Sequence, residues 1–306
     1  MTVLSDFSSH ELEGRLKRGD LRLQAGPFRY SIQSAEPKVL AGLRLLYPDF
    51  TVFPEHSFSD FHIALRPANL RQKLRGVVEF FWDGRCPFEI IEIRHSYAFL
   101  EWGMNWCVAV ANNHYLKIHA AVLEKNNSAL ILPGLPGSGK STLCAALALS
   151  GWRLLSDEHA LVPLGTSSVV PLCRPISLKN ESIDIIRSFS SDAVISEVAE
   201  ETHKGRVAHL KADLQPHSHD ITPVPARLMV FPEYGADSEF SLRTKLNTES
   251  FMFAGYHSFN YKVLGERGFE TLSTLMSAVD CFDLRYSNLD QAMSAIDHLE
   301  SELLSE

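Results

Sequence analysis

A glycine-rich run, Gly134, Leu135, Pro136, Gly137, Ser138, Gly139, Lys140 and Ser141, narrows the possible folds of this chain most, because it satisfies G-x-x-x-x-G-K-[ST]. An apolar stretch, Ala129 to Pro133, leads into it, and an alanine- and leucine-rich stretch from about Ser141 to Ser150 follows. The spacing predicts strand, loop, helix. Glycines allow backbone N–H groups to turn inward around phosphate oxygens, and the helix amino terminus adds partial positive charge. Lys140 would reach the β and γ phosphates, and the Ser141 hydroxyl can ligate Mg²⁺. Strands predicted at Trp152 to Leu155 and His159 to Pro163 extend the order to β-loop-α-β, an α/β nucleotide-binding pattern.

A phosphate site of this kind needs an acid near the metal, and the first candidates are Asp157 and Glu158, one helix and one strand after the loop. The alternative reading is a solvated acidic strand end. His119 lies on the predicted strand Tyr115 to Glu124, just ahead of the one that leads into the loop. Of the cations that follow the acids, Arg174, Lys179, Lys204 and Arg206 are candidates to balance charge on phosphate, with Lys179 and Lys204 preferred. His217, His219 and Asp220 lack a fourth partner, which makes a metal site there a weak expectation.

Before residue 99 the chain reads as a mostly β module. Leu21 to Ile32 and Phe50 to Leu65 alternate apolar and polar residues around a short helix at Val39 to Tyr47, and Arg75 to Trp82 and Pro87 to Arg94 flank a turn at Asp83-Gly84. Phe99 to His114 has helical spacing. Beyond the acids, Gly165 to Pro175 and Lys211 to Pro225 read as loops around a partly helical Ser182 to Glu201. A strand at Leu228 to Pro232, a helix at Gly268 to Val279, a strand at Cys281 to Tyr286 and a terminal helix complete the pattern. The expected organisation is a β-rich module, 1–98, followed by an α/β core, 99–306.

Several stretches together resemble the HPr kinase/phosphorylase family, and within it the HprK-related kinase A group. They are His119-Ala120-Ala121, Gly134 to Thr142, Gly151 to Glu158, Glu101 to Trp106, Arg174 to Asn180, His203 to His209 and Phe259-Asn260-Tyr261. Phosphoenolpyruvate carboxykinases have a related arrangement of phosphate loop and acids. The resemblance implies an HPr-kinase/PEP-carboxykinase-like P-loop core, a metal-associated acid beside a catalytic acid, and a histidine near the phosphates. Asp157 and Glu158 map onto the acids and His119 onto the histidine. Asp157 is preferred as the Mg²⁺-associated acid and Glu158 as the base, with the exchanged order as the alternative. Two positions depart from the family: Glu158 stands where HPr kinases usually carry a second Asp, and Thr142 where they usually carry Glu.

The resemblance further implies an ATP-dependent kinase acting on a hydroxyl, serine by preference, of a protein or peptide. Alternatives are a small-molecule kinase or phosphorylase, and a nucleotide-dependent switch module in peptide maturation that transfers nothing. HPr kinases are typically hexameric, so a homo-oligomer is possible.

Composition bounds the remaining classes. The chain has 306 residues and a formal net charge of −8, with its Lys and Arg scattered, which argues against nucleic acid as a partner. No apolar run reaches the ~18 residues of a membrane span, and the first twenty residues lack the apolar core of a signal peptide. Five widely spaced cysteines without a C-x-x-C fit reduced thiols. A cytoplasmic location without membrane partners is therefore expected.

Overall fold

A capping box opens the first helix. Ser8 Oγ accepts the Glu11 N–H, and Glu11 Oε2 accepts the Ser8 N–H at 2.8 Å. The structure is a computed structural model that describes residues 2–212 and 219–303, with the side chain of residue 303 left out. Helix α1 (Ser9–Arg18) leads to a hairpin of β1 (Leu21–Ala25) and β2 (Phe28–Ser34), with Gly26 supplying the positive φ of the turn. Then come α2 (Pro37–Leu46), β3 (Val52–Phe53), β4 (Phe61–Arg66), α3 (Leu70–Arg75), β5 (Val77–Trp82), β6 (Ile91–Glu92) and α4 (Ser96–Val110). The sheet runs β3-β1-β2-β4-β5-β6, with β2 and β4 parallel. The expected β module thus also holds α1 and α3, and the helix expected at Phe99 to His114 is shifted towards the amino terminus.

The next elements are β7 (Tyr115–Lys125), β8 (Ser128–Pro133), α5 (Lys140–Leu149), β9 (Arg153–Ser156), β10 (His159–Pro163) and β11 (Ser168–Val169). They are followed by β12 (Ile176–Lys179), α6 (Glu181–Phe189), β13 (Ala199–Thr202) and β14 (Gly205–Leu210). The chain then forms β15 (Val224–Tyr234), β16 (Ser241–Thr244), α7 (Asn247–Tyr256), α8 (Tyr261–Leu264), α9 (Glu266–Met276), β17 (Asp280–Tyr286) and α10 (Leu289–Leu303). The fold is mixed α/β, in agreement with the general class read from the sequence.

Two compact units divide these elements. The first comprises residues 1–108, 177–183 and 192–211, and the second comprises 109–176, 184–191 and 212–306. The first unit therefore includes the small sheet β12-β14-β13, which lies in sequence beyond the expected boundary at 98/99.

In the second unit the sheet order is β10-β7-β8-β15-β17-β16, with β9 also on β7 and β11 on β15. Strands β8, β15 and β17 are parallel, whereas β7 is antiparallel to β8. Leu116, Ile118, Ala120 and Val122 of β7 join Ile131, Met229, Leu272 and Leu275 in one core. Strand alternation sends His119 to the opposite face. Both faces are covered, which explains the near-continuous apolar sequence of β8. Helix α5 buries Leu143, Cys144 and the run from Ala145 to Ala148, in which Cys144, Ala145, Ala146 and Ala148 are small enough to let it lie close to the sheet. On α10, Ala292, Ile296 and Leu299 recur at helical spacing and are buried. Among the described residues, no helix is long and apolar enough to cross a membrane.

Candidate functional site

Strand β7 organises the site through its register. Ala120 pairs with Pro133, the last residue of β8, so the phosphate loop departs beside His119. Along the other edge, β9 pairs with the far end of β7 (Val122 with Ser156), and β10 pairs with its near end (His119 with His159). Strands β9 and β10 thus form one edge partner broken at Asp157-Glu158. Ser156 shapes the break, because its buried Oγ accepts the N–H of His159 at 3.0 Å and of Glu158 at 3.4 Å. Such side-chain-to-backbone bonds turn a strand out of its ladder.

The break places the two carboxylates differently. Asp157 is 6% exposed. Glu158 Oε2 lies 3.1 Å from His119 Nε2, both side chains being partly exposed. This pair joins two residues that the sequence reading had singled out separately. Asp157 and Lys140 also sense one another's neighbourhood through Cys144, a wholly buried thiol on α5. Burial pushes that thiol well above its ordinary pKa, the negative charge of Asp157 raises it further, and Lys140 opposes the rise.

The loop itself has the backbone its glycines allow. Gly137 and Gly139 have φ of +86° and +84°, conformations an L side chain rarely adopts. Gly139 caps α5, and a β carbon there would overlap the Tyr286 hydroxyl and approach Tyr234 Cβ to 2.8 Å. Ser138 N–H donates to Leu135 O at 3.1 Å, and Tyr234 N–H donates to Ser138 O at the same distance.

Two groups in the loop fit an anionic ligand. Ser138 Oγ is buried with no hydrogen-bond partner among the described residues. Lys140 is 8% exposed, and its ammonium has no ion pair among those residues. An anion held by the loop would pair with this ammonium through a charge-assisted hydrogen bond. Ser141 and Asp157 supply a hydroxyl and a carboxylate, hard oxygen donors suited to Mg²⁺. No group of three or more His, Cys, Asp or Glu among the described residues could hold a metal. His217, of the weak candidate metal site, lies outside the described residues.

Behind His119 lies a feature that the sequence reading quoted only for its resemblance. Where β8 leaves the edge of β7, residues 257–259 replace it: His119 N–H donates to His257 O at 3.0 Å, Ile118 bridges to Ser258, and Phe259 N–H donates to Lys117 O at 2.9 Å. The Phe259 ring stacks on the His119 imidazole, centroids 5.5 Å apart and planes 22° apart. Asn260, 4% exposed, secures the segment by accepting the Lys117 N–H and donating to Asn113 Oδ1 and Tyr115 O. His257 titrates below its ordinary range, first because of burial and then because of repulsion from His119. Lys117 is wholly buried and donates to Ala109 O and Ala111 O, and burial lowers its pKa from 10.5 to about 8.

The structure therefore brings His119, Asp157, Glu158 and the loop from Gly134 to Thr142 together in the second unit. Lys179 and Lys204 belong to the first. Lys179 ends β12, where its N–H donates to Ser182 Oγ, and Lys204 sits in the β13–β14 turn with its ammonium 5.6 Å from the Trp102 ring centroid. Ser156 and Phe259 are the neighbours that sequence reasoning missed. For Ser156 the signal was present, since a Ser just before two acids between two strands suggests a hydroxyl-capped turn.

No protein-family model matches the chain. Nor does any curated protein match it.

Proposed function

We propose that the chain is an ATP-dependent kinase of the HPr serine kinase type, with a P-loop core, that phosphorylates a hydroxyl, serine by preference, on a protein or peptide. The observation that carries this reading is the convergence of the loop, Asp157 and the His119–Glu158 pair around one strand register. Backbone N–H groups of the loop and Lys140 would hold the triphosphate, and Ser141 and Asp157 would hold Mg²⁺. When bound, Mg²⁺ neutralises charge on the phosphate oxygens. In this reading Glu158 would take the proton from the acceptor hydroxyl, and His119, 3.1 Å from it, would hold the Glu158 carboxylate and approach the phosphates. The roles of Asp157 and Glu158 could also be exchanged.

The test is incubation of the purified protein with γ-labelled ATP, Mg²⁺ and a lysate of its own source, with Lys140→Ala as control, followed by mass spectrometry of labelled species. Label on a protein or peptide hydroxyl that disappears in the control is the expected outcome. ATP binding without transfer to any macromolecule would point instead to a switch module or to a small-molecule acceptor. Absence of ATP binding would remove the basis of the proposal.

A further inference from the structure

The loop has two flanks, and the proposed chemistry uses only one of them. Strand β7, on one side of β8, presents His119 and the break that carries Asp157 and Glu158. Strand β15, on the other side, ends in Tyr234, which no step above employs. Its backbone is fixed to the loop by the bond from its N–H to Ser138 O, and its Cβ lies against Gly139. Tyr286 supports it from within: the two ring centroids are 5.7 Å apart, and the Tyr286 hydroxyl, 3.4 Å from Gly139 O, belongs to a side chain only 2% exposed. Gly235 N–H donates to Tyr286 O at 3.0 Å, which locks the ends of β15 and β17 together. Tyr234 is nonetheless 45% exposed.

An aromatic ring whose backbone is fixed beside a phosphate loop, packed on one neighbouring ring and otherwise open to solvent, has only two side-chain torsions to order when it serves as a stacking surface. A nucleotide whose terminal phosphate lies toward Asp157 and Glu158 carries its base at the other end of the triphosphate. We infer that Tyr234 is the stacking platform for the nucleobase of the phosphate donor, on the flank of the loop opposite the acids. The inference rests on the phosphate-site reading above and adds the contact that separates a nucleotide from a bare polyphosphate. Stacking engages the π face that every base possesses, so the platform accepts adenine and guanine alike.

The test compares Mg²⁺-ATP with Mg²⁺-triphosphate, the inorganic chain without base or sugar, by calorimetric titration of the full-length protein and of Tyr234→Phe and Tyr234→Ala. The expected result is a roughly tenfold loss of ATP affinity in Tyr234→Ala, with triphosphate affinity unchanged and Tyr234→Phe close to the native protein. Unchanged ATP affinity in Tyr234→Ala overturns the inference, as does a native protein that binds triphosphate as tightly as ATP. Equal loss of both ligands in Tyr234→Ala also overturns it, because Tyr234 would then support the loop and not the base. If the native protein binds neither ligand, the phosphate site itself falls, a failure distinct from the others.

Discussion

His119 Nε2 and Glu158 Oε2 stand 3.1 Å apart, one on a central strand and the other at the break in the strand paired with it. An imidazole at this distance can hold the carboxylate in one orientation by a charge-assisted hydrogen bond. Replacing Glu158 by Gln keeps the shape and removes the basicity. Glu158→Gln is expected to lower the rate of phosphoryl transfer by about 10²–10⁴ while ATP affinity stays within about twofold. Single-turnover transfer and ATP titration on the same preparation check both halves. Full turnover in the variant would remove Glu158 from the role of base.

Ser156 holds the break open, so its hydroxyl has consequences beyond its own hydrogen bonds. Ser156→Ala leaves the N–H groups of Glu158 and His159 without that acceptor and is expected to cost about 1–2 kcal/mol, measured by urea unfolding. Transfer should fall as well, because Glu158 is then free to leave His119. A variant with native transfer rate would show that the break keeps its geometry without the hydroxyl.

The seat of Gly139 is too small for any side chain. Gly139→Ala places a methyl group against Tyr286 and Tyr234 at a φ of +84°, and is expected to destabilise the protein by about 2–3 kcal/mol. It should also displace the loop and abolish ATP binding. Thermal unfolding and titration together test this, and near-native values in both would contradict the packing described.

Lys117 gives stability a pH dependence of known sign. Its pKa is lowered to about 8 in the folded protein, from 10.5. Between those values the unfolded chain holds a proton that the folded one has lost, so the native protein gains stability as pH rises. Below about pH 8 both states are protonated and the penalty for the buried charge is constant. Lys117→Met lacks this titration. Relative to the variant, the native protein should gain about 2 kcal/mol from about pH 7.5 to about pH 9.5, read from paired denaturant titrations. A difference that stays flat over that interval would contradict a depressed Lys117.

Much of this arrangement was legible where the signal is local. The loop from Gly134 to Ser141, the strand before it and the helix after it follow from glycine placement and apolar runs, and strands read at Trp152 to Leu155 and His159 to Pro163 lie within a residue of β9 and β10. What the sequence did not carry is which strands share an edge. That β9 and β10 both pair with β7, and so turn Asp157 and Glu158 into a break in a single edge, depends on a register set by the whole sheet. The stacking of Phe259 on His119 joins residues far apart in sequence, with no periodicity to announce it. Helix α1 was missed although Ser8 and Glu11 spell its capping box, because its sparse apolar residues gave little periodicity to find. The positions of Lys179 and Lys204 in the first unit likewise follow from long-range pairing of β12 and β14, which local composition does not encode.

The handover on β7, where residues 257–259 take the edge that β8 vacates, also bears on how the chain is made. During synthesis β7 and β8 emerge long before that segment does, so the edge at Lys117 to His119 waits with unpaired backbone groups in an apolar strand. An open edge of that kind readily captures an equivalent strand from another chain. The nascent protein is thus most vulnerable to self-association late in translation, and fragments ending before Phe259 should aggregate more readily than the whole chain.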